Sequence, residues 1–160
     1  MRVKTLAVNG IIAALYIAIT TLILPFGFSQ IQFRIAEIFN HLIVFNKKYF
    51  FGIVIGVFIT NLFSPLGAYD LVFGVGQSVL ALTIMILTAR FVENIWARLA
   101  INTIVFTITM FLIAIELSIV FNLPFWLTWG TTAIGEFVVM AIGAPIMYAL
   151  NKRVNFKNLI

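Results

Sequence analysis

Apolar residues in this chain run in long unbroken stretches rather than alternating with polar ones. Six such runs are separated by turn residues or short charged clusters: Leu6 to Pro25, Phe33 to Asn46, Tyr49 to Leu62, Tyr69 to about Ala89, Leu99 to Phe121, and Trp126 to Leu150. Pro25-Phe26-Gly27, Ser64-Pro65-Leu66-Gly67 and Asn122-Leu123-Pro124 mark three of the ends. Continuous runs of this length predict helices and disfavour a membrane β-barrel, whose strands would alternate apolar and polar residues. The first run follows Arg2 and Lys4 as a secretory signal would, but no Ala-x-Ala cleavage site follows it, so it is read as an anchoring span.

Composition turns helices into membrane helices. Of 160 residues, 63% are hydrophobic and 9% charged, against about 25% charged in a soluble domain. A chain this apolar has too little polar surface to cover a water-soluble core. The expected fold is therefore an all-α integral membrane protein, a six-helix bundle forming one membrane domain over residues 1–160, in contact with lipid throughout. A crossing needs roughly 20 apolar residues, somewhat fewer where the bilayer thins. Six short helices fill the chain and leave no soluble catalytic domain.

The second and third runs are short, and a single helix from Phe33 to Leu62 is the alternative. That helix would bury Lys47 and Lys48 near the bilayer centre, at about 2.5–3.5 kcal/mol each. Two helices joined at Asn46-Lys47-Lys48 avoid this cost. Charge supports the same choice, because short cytoplasmic loops collect Lys and Arg. With six spans and both termini inside, Arg2, Lys4, Lys47, Lys48, Arg90, Arg98, Lys152, Arg153 and Lys157 fall inside, and Arg34 alone falls outside. The net charge of +5 is then a topology signal and not a nucleic-acid footprint.

The five acids divide unevenly. Glu93 sits in an inner loop with Arg90 and Arg98, whereas Glu37, Asp70, Glu116 and Glu136 all map to the outer half of the membrane. Glu136 lies about 15 Å into the last span at the helical rise. An ionisable group inside a span is a functional hypothesis by default. Each acid also has a simpler reading: Arg34 and Glu37, one turn apart, pair with each other; Asp70 caps the fourth span; Glu116 hydrogen-bonds at the interface. Glu136 has no basic residue nearby in sequence.

Asn61, Gln77, Trp126 and Trp129 share that half. Asp70, Gly74 and Gln77 project from one helix face, as do Trp129, Thr132 and Glu136. The two Trp residues serve either as an interfacial belt or as a wall for a flat cation. His41, without Cys or further His nearby, reads as a hydrogen-bonded helix residue rather than a metal ligand. With no nucleophile–base pair and no Walker A sequence, the chain is expected to be neither an enzyme nor an ATPase, and to need no cofactor or metal. Gly10, Ala14 and Ala18 form a small-xxx-small stripe suited to docking another membrane subunit, and Gly52 with Gly56 forms a second such pair.

Four segments carry a resemblance. Gln30-Ile31-Gln32-Phe33-Arg34-Ile35-Ala36-Glu37, Asn61-Leu62-Phe63-Ser64-Pro65-Leu66-Gly67-Ala68-Tyr69-Asp70, Glu116 with Phe121-Asn122-Leu123-Pro124-Phe125-Trp126, and Gly135-Glu136 resemble the QueT family in order and spacing. Ala36 stands where that family pattern has Ser. The family comprises predicted substrate-binding S components of energy-coupling factor (ECF) transporters. The resemblance implies a six-helix subunit in the cell membrane, of Gram-positive bacterial type, that captures the queuosine precursor 7-aminomethyl-7-deazaguanine (preQ1) outside the cell. It further implies a membrane coupling (T) subunit docked on the Gly10, Ala14, Ala18 stripe, two ABC ATPases, and a lid at Pro25 to Phe33. Arg34, Glu37, Asn61, Asp70, Gln77, Glu116, Trp126, Trp129 and Glu136 are the expected substrate-binding residues. Two alternatives stand beside this: an S component for another vitamin-like ligand, and a stand-alone proton-coupled carrier or exporter of small cations in which Glu136 carries the proton.

Overall fold

The structure, a computed structural model, describes residues 3–23 and 33–160. The expected lid except Phe33, the end of the first run at Pro25 and the Gln30-x-Gln32 part of the first motif lie outside the described residues. Helix α1 spans Val3–Leu22. Helix α2 covers Ile35–Phe45, as a 3₁₀ helix over Ile35–His41 continued by one α turn over Leu42–Phe45. After a 3₁₀ turn at Lys47–Tyr49 come α3 (Phe50–Leu62), α4 (Ala68–Thr88), α5 (Ile95–Thr109), α6 (Phe111–Phe121), α7 (Phe125–Val154) and the short α8 (Phe156–Leu159). Among the described residues every regular element is helical.

Four helical stretches are long and apolar enough to cross a bilayer: α1, α4, the α5–α6 pair over Ile95–Phe121, and α7. The helices follow the apolar runs closely, and the departures have local causes. Asn46 adopts an extended backbone and accepts a hydrogen bond from the Lys48 amide at 3.1 Å, which separates α2 from α3 and leaves both lysines exposed. Helix α5 starts at Ile95 rather than Leu99 because the Asn94 side chain caps it, accepting from the Trp96 and Ala97 amides at 2.9 and 3.1 Å. Helix α7 runs on to Val154, where Asn155 turns left-handed and the Asn151 side chain takes the Phe156 amide.

Packing closes these helices into a ring. Helix α1 lies against α3, α3 against α4, α4 against α5 and α6, and those two against α7. Helix α2 fills the gap between α7 and α1, and also touches α4 and α5, so it runs through the interior. All four residues of its α turn are buried, as are Ala36, Glu37, Asn40 and His41. This explains how so short an element serves: a 3₁₀ helix rises about 2.0 Å per residue against 1.5 Å for an α-helix, so 11 residues reach about 20 Å. His41 anchors it, with Nε2 2.9 Å from the Met140 carbonyl and Nδ1 3.2 Å from Asn102 Nδ2. These contacts make it the hydrogen-bonded helix residue expected.

Polarity is inverted relative to a soluble bundle. Ile11, Phe51, Val72, Ile104, Ile134 and Ile142 point outward, while the interior holds Arg34, four carboxylates and a series of Asn, Gln, Ser and Thr side chains. In lipid this is the stable arrangement, since a polar group on the outer face would have no partner. Two small-residue pairs with similar spacing end in different places. Gly52 and Gly56 face inward on α1: a Cβ at Gly56 would sit 2.9 Å from that of Tyr16, and the Gly52 amide donates to Asn9 Oδ1 at 2.8 Å. Gly10, Ala14 and Ala18 face outward, and a Cβ at Gly10 would meet nothing within 4 Å.

Gly56→Val should therefore overpack the α1–α3 contact at a cost of about 1–3 kcal/mol. Its thermal unfolding midpoint in detergent should fall by several degrees, whereas Gly10→Val should leave that midpoint unchanged.

Candidate functional site

The 3₁₀ form of α2 builds the first part of the site. With three residues per turn, side chains at i and i+3 eclipse. Arg34, Glu37 and Asn40 consequently form one column: Arg34 reaches Glu37 Oε1 at 3.9 Å, and Asn40 Nδ2 donates to Glu37 Oε2. From α1, the Tyr16 hydroxyl donates to Glu37 Oε1 at 2.8 Å. Glu37 thus has donors on both oxygens in addition to its cation.

The α3–α4 junction supplies the second part. Gly67 holds φ +59° and ψ −124°, a region closed to side chains with a Cβ, and so turns the chain into α4 with Asp70 in its first turn. Ser64 donates to Asp70 Oδ2, and the Ser64 Oγ accepts from the Leu66 amide at 3.1 Å. Asn61 donates to the Asp70 backbone carbonyl at 3.0 Å and packs on Gly74, where a Cβ would come within 2.5 Å of its amide nitrogen. Asp70 Oδ1 then faces Arg34 Nη2 at 3.5 Å. Arg34 bridges α2 and α4 through two carboxylates.

Glu116 on α6 and Glu136 on α7 complete the cluster. Both are fully buried. Glu116 lies within electrostatic reach of Asp70 and Arg34, and Glu136 within reach of Glu37 and Arg34. No N–H or hydroxyl donor reaches any of their four carboxylate oxygens among the described residues, while Glu116 and Asp70 lie close enough to share a proton in a carboxyl–carboxyl hydrogen bond. Four acids therefore surround one cation. The residues between 23 and 33 carry no charged side chain, and every other Lys or Arg belongs to the opposite end of the helices or to the chain termini. If all four acids are ionised, Arg34 leaves a formal charge of −3.

The remaining expected residues lie around this cluster with other partners. Gln77 is buried on the Asp70 face of α4, about two turns along, where its Nε2 donates to Thr109 Oγ1 at 3.1 Å and its Oε1 accepts from Ser78. Trp129 is half-buried on the Glu136 face of α7. Its Nε1 donates to the Ile108 carbonyl at 3.2 Å, and its ring packs beside Met110, Ile113 and Leu117. Trp126 is 76% exposed, edge-on to Phe125 at 5.1 Å, in the position of an interfacial belt residue. Tyr16, Asn40 and Ser64 also hydrogen-bond to the acid cluster, and sequence reasoning passed over them. The i+3 spacing of Asn40 from Glu37 and the Ser64 of the second motif were the available signals.

A family model described as QueT transporter matches residues 6–152. The chain belongs to this family. It is 39% identical over 154 residues to a protein named queuosine precursor transporter QueT from Lactococcus lactis subsp. cremoris (strain MG1363), covering 91% of each chain. No solved structure matches the chain significantly. As a QueT-family protein with several membrane-length apolar helices, the chain is a multi-pass membrane transport protein. The buried acid cluster is thus set inside a transporter whose outer face is apolar.

Breaking a buried ion pair by removing one partner typically costs about 3–5 kcal/mol, because the other charge stays buried. Arg34→Met should destabilise the purified protein by about that amount in detergent unfolding. Adding Glu37→Gln and Asp70→Asn to it should restore a large part of the loss.

Proposed function

We propose that this chain is the substrate-binding S component of an ECF-type importer, and that its buried acids capture the queuosine precursor preQ1 outside the cell. In this reading the ring of helices is one membrane domain that crosses the cell membrane six times, with α2 and α3 as its short spans and both termini cytoplasmic. Partner subunits, a membrane coupling protein and two ABC ATPases, drive uptake.

The observation that carries the reading is the set of four carboxylate oxygens on Glu116 and Glu136, buried and reached by no N–H or hydroxyl donor among the described residues, in a cluster whose only cation among those residues is Arg34. A ligand bringing both positive charge and N–H donors is the complement to that arrangement. A deazaguanine offers a ring N–H and an amino group to one carboxylate in bidentate fashion, and an aminomethyl ammonium to another. Glu116 and Glu136 take these roles. Glu37 and Asp70, already held by Tyr16, Asn40, Ser64 and Arg34, set the field around them. Asn61 and Gln77 lie within the same half of the bundle to meet the ring carbonyl, and Trp129 to stack on the ring; Trp126 stays at the lipid interface. The outward-facing Gly10, Ala14 and Ala18 stripe supports docking on the coupling subunit, since no helix among the described residues covers Gly10.

Calorimetric titration of the purified chain with preQ1 should give saturable binding. Losing a charge-assisted hydrogen bond costs about 1.5–3 kcal/mol, so Glu116→Gln and Glu136→Gln should each weaken binding on the order of 10- to 100-fold. Glu93→Gln, on the exposed loop before α5, should not change it. Unaltered affinity in both buried variants would remove these acids from the site. If liposomes containing this chain alone accumulate preQ1 under a pH gradient, the carrier reading replaces the importer subunit.

A further inference from the structure

Charge collects a second time at the opposite end of the bundle. There a cavity of about 390 Å³ opens between the ends of α2 and α4, the start of α5 and the short α8. Lys47, Arg90, Arg98 and Lys157 line it together with the amides Asn46 and Asn158, and no acid does. Arg98 is committed: it donates to the Val92 and Ala89 carbonyls at 2.6 and 2.7 Å and closes the end of α4. The other three cations are exposed and have no ion-pair partner among the described residues, where both ion pairs belong to Arg34. Glu93, the one acid nearby in sequence, is exposed and lies outside the lining.

The cavity does not end at polar residues. Lys47 and Ile86 also line an adjoining groove of about 320 Å³ between α3 and α4, walled by Phe50, Phe51 and Thr83 and edged by Lys48. Phe51 is turned outward on the surface that meets lipid. A cationic cavity continuous with an apolar, lipid-facing groove fits an anion that carries an apolar tail.

We propose that this cavity seats the phosphate headgroup of an anionic phospholipid, with Lys47, Arg90 and Lys157 around the phosphate and an acyl chain in the α3–α4 groove. A basic pocket at the end of membrane helices is a suitable seat for such a headgroup, and the groove favours a lipid over a free phosphate. The proposal is independent of what the acid cluster binds.

Native mass spectrometry of the detergent-solubilised full chain tests it, with phosphatidylglycerol, phosphatidylcholine and inorganic phosphate as probes. One phosphatidylglycerol per chain should be retained in preference to phosphatidylcholine. Each cation removed should weaken retention about 5-fold, so Lys47→Gln with Arg90→Gln should lose it almost completely. The charge-keeping pair Lys47→Arg with Arg90→Lys, and the distant pair Lys152→Gln with Arg153→Gln, should retain the lipid. The charge-keeping pair also separates a lost site from a lost fold. Equal retention of the two lipids, or undiminished phosphatidylglycerol on the Lys47→Gln, Arg90→Gln variant, would overturn the proposal. So would full displacement of the lipid by millimolar inorganic phosphate, which would make the cavity a site for free anions.

Discussion

Among the described residues Arg34 is the only cation placed among four buried carboxylates, and most of the polar interior is arranged to hold it there. It spans from α2 to α4, meeting Glu37 at 3.9 Å and Asp70 at 3.5 Å. Both distances exceed those of short charge-assisted hydrogen bonds, so the pairing rests on field more than on contact. The two acids are fixed instead by neutral donors: Tyr16 and Asn40 on Glu37, Ser64 on Asp70. Glu116 and Glu136 have no such donors among the described residues. The cluster therefore divides into a braced pair, Glu37 and Asp70, and a pair without neutral donors, Glu116 and Glu136.

The same constraint accounts for the path of the backbone. Ion pairs and amides are stable in a membrane only inside the bundle, away from the lipid. Helix α2 carries Arg34, Glu37 and Asn40 on one face of a 3₁₀ turn, and that face must be enclosed on every side. The ring of α1, α3, α4, α5–α6 and α7 encloses it, with Gly143 on α7 leaving room for Ile38. At the far end of the helices the polarity changes sign. Cations there face a cavity lined by no acid among the described residues, and Arg98 spends its donors on the Ala89 and Val92 carbonyls just beyond the end of α4.

Much of this was legible in the sequence because lipid exposure leaves a strong signature. Long apolar runs set the helix limits to within a few residues, and Lys47 with Lys48 forced the break that Asn46 makes. The gathering of Arg34, Glu37, Asp70, Glu116 and Glu136 followed from mapping scarce charges onto those runs. Other features needed three dimensions. A pair at i and i+3 fits an α-helix and a 3₁₀ helix alike, so the column that includes Asn40 was hidden. Tyr16 lies among apolar residues of α1 and meets Glu37 only when α2 packs against it. The spacing of Gly52 and Gly56 matches that of Gly10 and Ala14, yet one pair is covered by α1 and the other faces outward. Trp126 and Trp129, three residues apart, separate into an exposed ring and a half-buried one because only Trp129 meets α6.

The central claim is that Glu116 and Glu136, which have no ion-pair partner among the described residues, take their counter-charge from the ligand. Comparing two ligands of nearly identical shape isolates that claim: 7-aminomethyl-7-deazaguanine, which carries an ammonium, and 7-cyano-7-deazaguanine, which is neutral. Titrated into the same purified protein by calorimetry, the cation should bind on the order of 100-fold more tightly, the equivalent of one or two charge-assisted hydrogen bonds. Equal affinity for the neutral compound would contradict the account, because the buried carboxylates would then have no part in selecting the ligand's charge.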